Sequence, residues 1–409
     1  MSDAAPTNDP AVIRIVAVSA LCMGMGASLG FVPGFLATTL RDDLGISRGQ
    51  VGLLVSLYFG CTGIGSIMGG RATDRFGARA VIATDMVLVG LAAFMTAAIG
   101  TYWSLVLAAI VAGSAYSLVN AGTNVAIGRA TDPARRTLAM SVKTAGVPFM
   151  AMVAAAAGPP MADRSSWQTI TVVTGVIALI AGLIAVIVFD DDRPVAGTAP
   201  SRGELPDGFW WFAVGAFLLI AGSQPLYSWT VAYLEQSLDA SPGVAGAISA
   251  AASGAGVVFM IASAQRTDRV GPEARVRRLI TLLAINLVGT VLVMTGELVG
   301  TWFVAVGAVI GISAQLAAIG TMHAAVVDRA PHAVARATGV TMTGYYIGAL
   351  ASPAAFGWLA DATDTFAWSW AATAVLLAVA LPVWRIAGAV GRPTDAVVPI
   401  SPTPKGVPT

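Results

Sequence analysis

Charged side chains are scarce in this chain of 409 residues, where they account for only 11% of the positions. Soluble globular domains usually carry about 25% charged residues, so this shortage excludes an ordinary soluble fold. Hydrophobic residues make up 56% of the chain, and the mean hydropathy is +0.77. The composition therefore predicts a membrane protein surrounded by the lipid bilayer.

Cysteine and histidine are rare as well, with two residues of each. Cys22 and Cys61 lie inside apolar runs, which excludes a disulfide framework and a cysteine-based metal site. The net charge is +1 and the chain has no basic block, so nucleic acid is not an expected partner. No P-loop or HExxH motif occurs, and we therefore expect no enzyme, metal or cofactor.

Twelve apolar runs are long enough to cross a bilayer, which takes about 20 residues of helix. The runs of the first half are 14–39, 49–71, 78–100, 103–127, 137–162 and 167–189. The runs of the second half are 209–234, 243–266, 276–299, 302–327, 336–360 and 366–388. The sequence thus predicts an all-α transmembrane fold of twelve helices in two six-helix bundles.

Polar segments divide and flank the predicted bundles. Residues 190–208 combine proline, glycine and charge, as expected of a linker between bundles at 14–189 and 209–388. The remaining segments are an N-terminal tail, 1–13, and a C-terminal tail, 389–409. The second tail is rich in proline and threonine, and we expect it to be disordered.

Basic residues indicate how the chain crosses the membrane, because lysine and arginine in short loops favour the cytoplasmic side. An even number of helices places both termini on one side. Of the 23 lysines and arginines, that side holds 19, the other side holds Arg41, Arg48 and Arg164, and Lys143 lies inside a helix. We therefore predict a multi-pass protein of the plasma membrane, the inner membrane of a bacterial cell, with both termini in the cytoplasm.

A charged turn recurs after half of the chain. Residues 73–77, with the sequence TDRFG, return as residues 267–271, with the sequence TDRVG, which is 268 − 74 = 194 positions later. An internal repeat of this length indicates two similar halves. The two predicted bundles should therefore be related by pseudo-symmetry, with a polar hairpin at the same place in each.

The first hairpin has the pattern Gly70-x-x-x-Asp74-Arg75-x-Gly77-x-Arg79. This pattern is similar to the signature of the major facilitator superfamily of secondary transporters, where it lies between helices 2 and 3. The second, degenerate copy also stands where that family has one, between helices 8 and 9. The resemblance covers nearly the whole chain and implies two bundles that rock about a central site, giving alternating access. We expect the protein to work as a monomer.

The resemblance implies that the hairpin is a gate, in which Asp74 helps to hold the outward-facing state. We expect its glycines to permit a close approach and a tight turn, and Arg75 or Arg79 to pair with Asp132. The alternative is that these charges only fix the topology. The second copy would supply a weaker latch from Asp268, Arg269 and Gly271.

The resemblance also implies that helices 1, 4, 7 and 10 line the central cavity. In the fourth run, four small or polar residues share one helix face, because they are spaced by 4, 3 and 4 positions: Gly113, Ser117, Asn120 and Asn124. A polar face is costly in lipid and should face a cavity. The alternative is that small and amide side chains pack neighbouring helices together.

Lys143, in the fifth run, is the clearest candidate for binding a substrate. An ammonium group inside a membrane helix costs several kcal/mol unless it has a partner or water. It lies six residues after Thr137, about 9 Å along the helix. It binds an anion, extends back to the cytoplasmic interface, or belongs to a structural ion pair. Pro148, shortly after it, should loosen the helix and free a carbonyl group.

Two titratable residues are candidates for coupling transport to protons. Asp85 is the carboxylate placed deepest in a predicted helix, and it either pairs with a group on the second or fourth helix or carries a proton. His323, in the tenth run, either titrates near neutral pH or serves as a neutral core residue. Further substrate-binding candidates on helices 7, 10 and 11 are Gln224, Tyr227, Gln315 and Tyr345.

These residues favour a secondary transporter for a small organic anion, such as a carboxylate, coupled to protons by symport. Lys143 would supply the compensating charge. The alternative is efflux of drugs or other amphipathic compounds by proton antiport. Two departures from the drug antiporters of the superfamily disfavour that alternative: Ala109 stands where they carry an arginine, and Ala162 with Asp163 stands where they carry paired glycines.

Overall fold

A computed structural model describes residues 10–190 and 203–391, and within these ranges all regular structure is helical. The first half contains α1 (Pro10–Phe35), α2 (Ala37–Leu44), α3 (Arg48–Phe76), α4 (Ala78–Ile99), α5 (Tyr102–Ala130), α6 (Pro133–Arg164) and α7 (Trp167–Val188). The second half contains α8 (Trp210–Ser237), α9 (Pro242–Asp268), α10 (Pro272–Met294), α11 (Gly296–Val299), α12 (Thr301–Arg329), α13 (Val334–Thr363) and α14 (Ala367–Ala389). The predicted all-α fold is confirmed.

Each of the twelve predicted runs coincides with one of the long helices, while α2 and α11 are short additions at loops. Within the described ranges, nine helices are long and apolar enough to cross a bilayer, and the bent α3 adds a tenth if it counts as one span. The helix α1 begins at Pro10, four residues before the predicted run. The predicted tails and linker fall largely on residues 1–9, 191–202 and 392–409, which lie outside the described residues.

Local sequence signals explain where α3 begins and ends. At its start, the Ser47 hydroxyl accepts a hydrogen bond from the backbone N–H of Gln50, and the Gln50 side chain accepts one from the N–H of Ser47, at 3.2 and 2.9 Å. This reciprocal capping satisfies two backbone donors. At its end, Gly77 has φ 84°, a conformation that residues with a Cβ rarely adopt. The predicted tight turn is confirmed at this glycine.

The molecule has two ends, which we name by the helix termini they contain. The proximal end contains the start of α1 and the end of α3, and the distal end contains the end of α1 and the start of α3. Within the first half α3 packs on α5 and α1 packs on α6, and within the second half α10 packs on α12 and α8 packs on α13. Each half therefore has a helical core of its own.

The two halves meet mainly along two helix pairs, α3 with α13 and α6 with α9. In each pair the second long helix of one half packs on the fifth long helix of the other, as pseudo-symmetry requires. Glycines allow the backbones to touch: a Cβ on Gly52 would overlap the Pro353 carbonyl oxygen, and one on Gly246 would overlap that of Ala155. Both contacts lie in the distal half of the helices, so the halves are closed against each other at the distal end.

Candidate functional site

Lys143 is buried in α6, with 3% of its surface exposed. Its ammonium group donates hydrogen bonds to the Oδ1 atoms of Asn120, at 3.0 Å, and Asn124, at 2.7 Å. Both asparagines project from one face of α5, because they are four residues apart. The lysine is therefore held between α5 and α6, and in this structure it does not extend back to the proximal interface.

The charge of Lys143 has no ionic partner among the described residues. The ion pairs found there join Arg48 to Asp361, and two further arginine–carboxylate pairs lie at the proximal end. The two asparagine oxygens are neutral acceptors, and an ammonium group has three N–H donors. A buried cation with only neutral partners favours an anion as a further partner. Asn124 is exposed, so this group reaches solvent through its amide.

The polar face of α5 divides into two parts. Gly113 and Ser117 pack against α3: Gly113 lies directly on the backbone of Tyr58, and a Cβ on Gly69 would lie 2.5 Å from the Ser117 carbonyl oxygen. This is helix packing by small residues. The other two positions of that face, Asn120 and Asn124, lie nearer the proximal end and bind Lys143.

Three candidates of the second half are buried, and one of them, Tyr227, lies at the seam, the surface along which the two halves meet. Gln224 and Tyr227 of α8 are buried, with 4% and 5% of their surfaces exposed, and Gln315 of α12 is buried with 2%. The Tyr227 ring lies 5.8 Å from the ring of Phe31 on α1, between ring centres. The structure therefore places the Tyr227 ring at the seam, and its role in substrate binding stays a prediction.

The surroundings of Tyr345 differ from those of His323. Tyr345 of α13 is half-buried, and its ring centre lies 5.5 Å from that of Tyr346, which packs on Gly63 of α3 across the seam. His323 of α12 is exposed, and its Nδ1 lies 2.8 Å from the carbonyl oxygen of Ile319. The ring is thus hydrogen-bonded within its own helix, and both roles considered for His323 stay predictions.

Asp85 is fully buried in α4. Neither of its carboxylate oxygens has a hydrogen-bond partner among the described residues. A Cβ on Gly26 of α1 would lie 2.9 Å from Asp85 Oδ2, so the carboxyl group faces α1. The expected pairing with a polar group of the second or fourth predicted helix is wrong for this structure.

The proximal hairpin is open to solvent at Asp74 and Arg75, and the Arg75 guanidinium lies 5.2 Å from the centre of the Phe76 ring. Within the described ranges, no ion pair joins Arg75 or Arg79 to Asp132, which the sequence led us to expect. A Cβ on Gly70 would meet open space. The expected close approach therefore occurs at Gly69 instead, which packs on Ser117.

The second hairpin differs from the first. Arg269 is exposed, and a Cβ on Gly271 would meet open space. The side chain of Asp268 lies outside the described residues. Two ion pairs that sequence reasoning missed connect this region to α12: Arg275 with Asp328, at 2.7 Å, and Glu273 with Arg329. They brace α10 against α12 within the second half.

A polar clamp at the distal end was also missed. The Asp361 carboxylate of α13 accepts hydrogen bonds from the backbone N–H groups of Arg48, at 3.1 Å, and Gly49, at 2.8 Å. The Gln236 Oε1 of α8 accepts from Arg48 Nε at 2.9 Å and from Arg41 Nη1 at 2.7 Å. These contacts join the two halves beside the glycine contacts of α3 and α13. Among the described residues, no group of histidine, cysteine and carboxylate side chains is arranged to hold a metal ion.

Known proteins share both the sequence pattern and the fold of this chain. The family model described as Major Facilitator Superfamily matches residues 16–353. The 3-(3-hydroxy-phenyl)propionate transporter of Escherichia coli (strain K12) is 30% identical over 149 residues, 36% of this chain and 36% of that protein. The hexuronate transporter of Bacillus subtilis (strain 168) is 28% identical over 148 residues, 36% of this chain and 34% of that protein. The chain thus matches about a third of the length of these two relatives.

Two solved structures illustrate the shared fold. A bacterial homologue of the human lysosomal transporter Spinster, in an inward-facing and unoccupied conformation, superimposes with a TM-score of 0.73 at 15% sequence identity, covering 93% of this chain and 98% of that one. A D-xylose–proton symporter superimposes with a TM-score of 0.71 at 15% identity, covering 91% and 97%. At such identities the likeness concerns the fold alone.

Proposed function

The chain belongs to the major facilitator superfamily and is a secondary transporter rather than an enzyme, and on that premise we propose that it carries a small organic carboxylate together with a proton. The observation that carries the proposal is the buried ammonium group of Lys143, which has two neutral amide partners and no ionic one among the described residues. A carboxylate supplies both the charge and the acceptor oxygens that this group lacks.

Substrate binding at Lys143 gives a physical reason for coupled movement. A closed cavity around an unpaired cation is costly, because a buried charge must be paired and hydrogen-bonded. A bound carboxylate removes that cost, so the occluded state forms more readily with the substrate than without it. Two partial relatives support the class of substrate, since the named substrates of both are organic acids.

The orientation proposed here places the proximal end in the cytoplasm. Its support is the distribution of basic residues, which concentrate at that end. The distal end then faces outward, and its closure makes this an inward-facing conformation. The two bundles, at 14–189 and 209–388, would rock about the seam. The substrate-binding candidates of the second half would be Gln224, Tyr227, Gln315 and Tyr345.

In the reversed, outward-facing conformation the proximal end would close, and the hairpins would act as its latch. The solvent exposure of Asp74 and Arg75 fits a latch that is released here. Asp132 would then meet Arg75 or Arg79, and Arg269 with its neighbours Asp268 and Gly271 would make the second contact. The glycines Gly70 and Gly77 would permit the approach, although a Cβ on Gly70 meets open space in the released state.

Proton coupling has two candidate carriers. Asp85 is buried with both oxygens unpartnered within the described ranges, and a protonated carboxyl group is the less costly form in such a place. His323 reaches solvent and can exchange protons with it. We favour Asp85 as the group that changes its protonation state, because its burial against α1 places it at a helix that meets both halves.

Purified protein in liposomes tests this function. The assay compares uptake of labelled carboxylates with extrusion of cationic dyes, with and without a pH gradient across the membrane. We expect uptake of at least one carboxylate, increased by an inward proton gradient, and no dye transport. Extrusion of dyes without carboxylate uptake would overturn the proposal in favour of drug efflux.

A further inference from the structure

A second group of polar side chains lies in the second half, across the seam from Lys143. None of these side chains carries a charge. The group consists of Gln224 and Tyr227 of α8 and Ser253 of α9, which are buried with 4%, 5% and 0% of their surfaces exposed. Gln224 Nε2 lacks a hydrogen-bond partner among the described residues, and Tyr227 Oη and Ser253 Oγ have none there other than each other. Such atoms destabilise a fold, since buried polar groups are nearly always satisfied.

These three side chains are close to one another. Gln224 and Tyr227 share a face of α8, because they are three residues apart, and the Tyr227 hydroxyl faces Ser253. Phe31 of α1 covers the Tyr227 ring from the first half, with ring centres 5.8 Å apart. Tyr227 therefore brings this polar group to the seam, where a molecule bound between the halves would touch both of them.

The chemistry of the group selects its ligand. An amide NH₂ group donates hydrogen bonds, and the two hydroxyls both donate and accept. None of the three side chains carries a charge, so a second carboxylate bound here would be buried without a cation, which is costly. A ligand hydroxyl, which also donates and accepts, satisfies these atoms without that cost.

The distance from Lys143 sets the shape of the ligand. A Cβ on Gly254, the residue after Ser253, would lie 2.9 Å from the Met152 sulfur of α6. Met152 follows Lys143 by nine residues on the same helix, about 13 Å at 1.5 Å per residue. A molecule that contacts both groups is therefore elongated, with a carboxylate at one end and a hydroxyl towards the other.

We infer that Gln224, Tyr227 and Ser253 form a hydroxyl-recognition subsite, and that the substrate is an elongated hydroxylated carboxylate that bridges the halves through this subsite and Lys143. The inference rests on the proposed function. It adds a specificity that charge alone does not provide: a carboxylate without the hydroxyl leaves the buried Gln224 amide unpaired. Sites built to hydrogen-bond a substrate hydroxyl reject the analogue that lacks it.

Matched pairs of acids test the inference in liposomes: 4-hydroxyphenylacetate with phenylacetate, and 3-(3-hydroxyphenyl)propionate with 3-phenylpropionate. We expect the wild-type protein to prefer the hydroxylated member of at least one pair by tenfold or more in kcat/KM. Tyr227→Phe and Ser253→Ala should each reduce that preference to threefold or less, by lowering uptake of the hydroxylated acid. Tyr102→Phe, a tyrosine at the distal end whose hydroxyl donates to the Gln50 carbonyl oxygen, is the matched control and should keep the preference.

Two other results separate this inference from the proposed function. Equal uptake of both members of each pair by the wild-type protein, with dependence on Lys143, overturns the subsite and leaves carboxylate transport standing. Absence of carboxylate uptake altogether overturns the proposed function and the subsite with it. Thermal unfolding of each purified variant shows whether a loss of uptake reflects a loss of folded protein.

Discussion

Asp361 and Gly49 lie in different halves of the protein, yet the Asp361 Oδ2 atom accepts a hydrogen bond from the Gly49 backbone N–H at 2.8 Å. The other carboxylate oxygen accepts from the N–H of Arg48 at 3.1 Å. The carboxylate therefore binds the first N–H groups of α3, where the helix dipole favours negative charge. A side chain of α13 thus closes the distal end by capping a helix of the opposite half.

Replacing the capping carboxylate should open the distal end. Asp361→Ala removes both hydrogen bonds, and the loss of a helix cap costs about 0.5–2 kcal/mol. The population should shift toward the distal-open state by about 2-fold to 30-fold, because 1.4 kcal/mol is a factor of ten. Distances between spin labels on Arg164 and Asp239, in a variant without Cys22 and Cys61, measure this shift.

The matched control for this change is Asp163→Ala, since Asp163 is also an acidic residue of the distal end and is exposed. It should leave the distance distribution of the labels unchanged. If Asp361→Ala also leaves that distribution unchanged, the glycine contacts alone hold the distal end closed and the capping carboxylate does not contribute.

The glycine contact between α3 and α13 gives a second prediction. A Cβ on Gly52 would overlap the Pro353 carbonyl oxygen, and a backbone atom cannot move aside as the end of a side chain can. Gly52→Ala should therefore destabilise the distal-closed state by about 1–3 kcal/mol, the usual cost of overpacking. Gly243→Ala is the control, because a Cβ there meets open space.

Accessibility of cysteines placed on the distal face measures the effect of Gly52→Ala. Faster labelling than in Gly243→Ala is the expected outcome. Equal labelling rates for the two variants would mean that the halves do not pack as closely in the membrane as the structure has them.

The sequence predicted the helices well because the physical signals for them are local. A run of about 20 apolar residues identifies a spanning helix, and the repeat of the hairpin identified the two halves. The start of α1 at Pro10 was not predicted, since a helix continues past the apolar run where its backbone can still form hydrogen bonds. Gly77 was predicted correctly as a turn, because glycine has no Cβ and can adopt a positive φ without steric cost.

Contacts between distant residues were predicted less well. Spacing on α5 brought Asn120 and Asn124 together, but only the packing of α5 on α6 shows that both bind Lys143. The pattern led us to expect a close backbone contact at Gly70, but that contact lies one residue earlier, at Gly69. A single residue along a helix turns a side chain by about 100°, since there are 3.6 residues per turn.

One feature of the sequence points to the polar clamp at the distal end. Arg41 and Arg48 are two of the three basic residues on that side, and both donate to Gln236, about 190 residues later. Basic residues on the side where they are disfavoured are candidates for a structural role. The partners Gln236 and Asp361 had no such signal, because nothing local marks a polar residue that is paired with the other half.

Asp85 provides a third prediction, which concerns proton coupling. Asp85→Asn keeps the size of the side chain and removes its ability to carry a proton. If Asp85 is the carrier, the variant should lose proton-driven accumulation of the carboxylate by tenfold or more, while exchange of internal for external substrate continues. The measurement is uptake in liposomes with a pH gradient, compared with counterflow without one.

His323→Gln is the companion variant, since His323 is the other candidate carrier. Loss of accumulation in His323→Gln with full accumulation in Asp85→Asn would assign coupling to the histidine instead. The Asp85→Asn protein should also be at least as thermally stable as the wild type, because the substitution removes a buried ionisable group that has no partner within the described ranges.

Lys143→Met tests the central claim most directly, because it removes the charge and keeps an unbranched side chain of similar length. The measurement is the initial rate of carboxylate uptake into liposomes, compared with Lys405→Met, which alters the other lysine of the chain and lies outside the described residues. We predict a fall of at least tenfold for Lys143→Met and wild-type rates for Lys405→Met. Wild-type uptake by a folded Lys143→Met protein would contradict the assignment of the substrate carboxylate to this lysine.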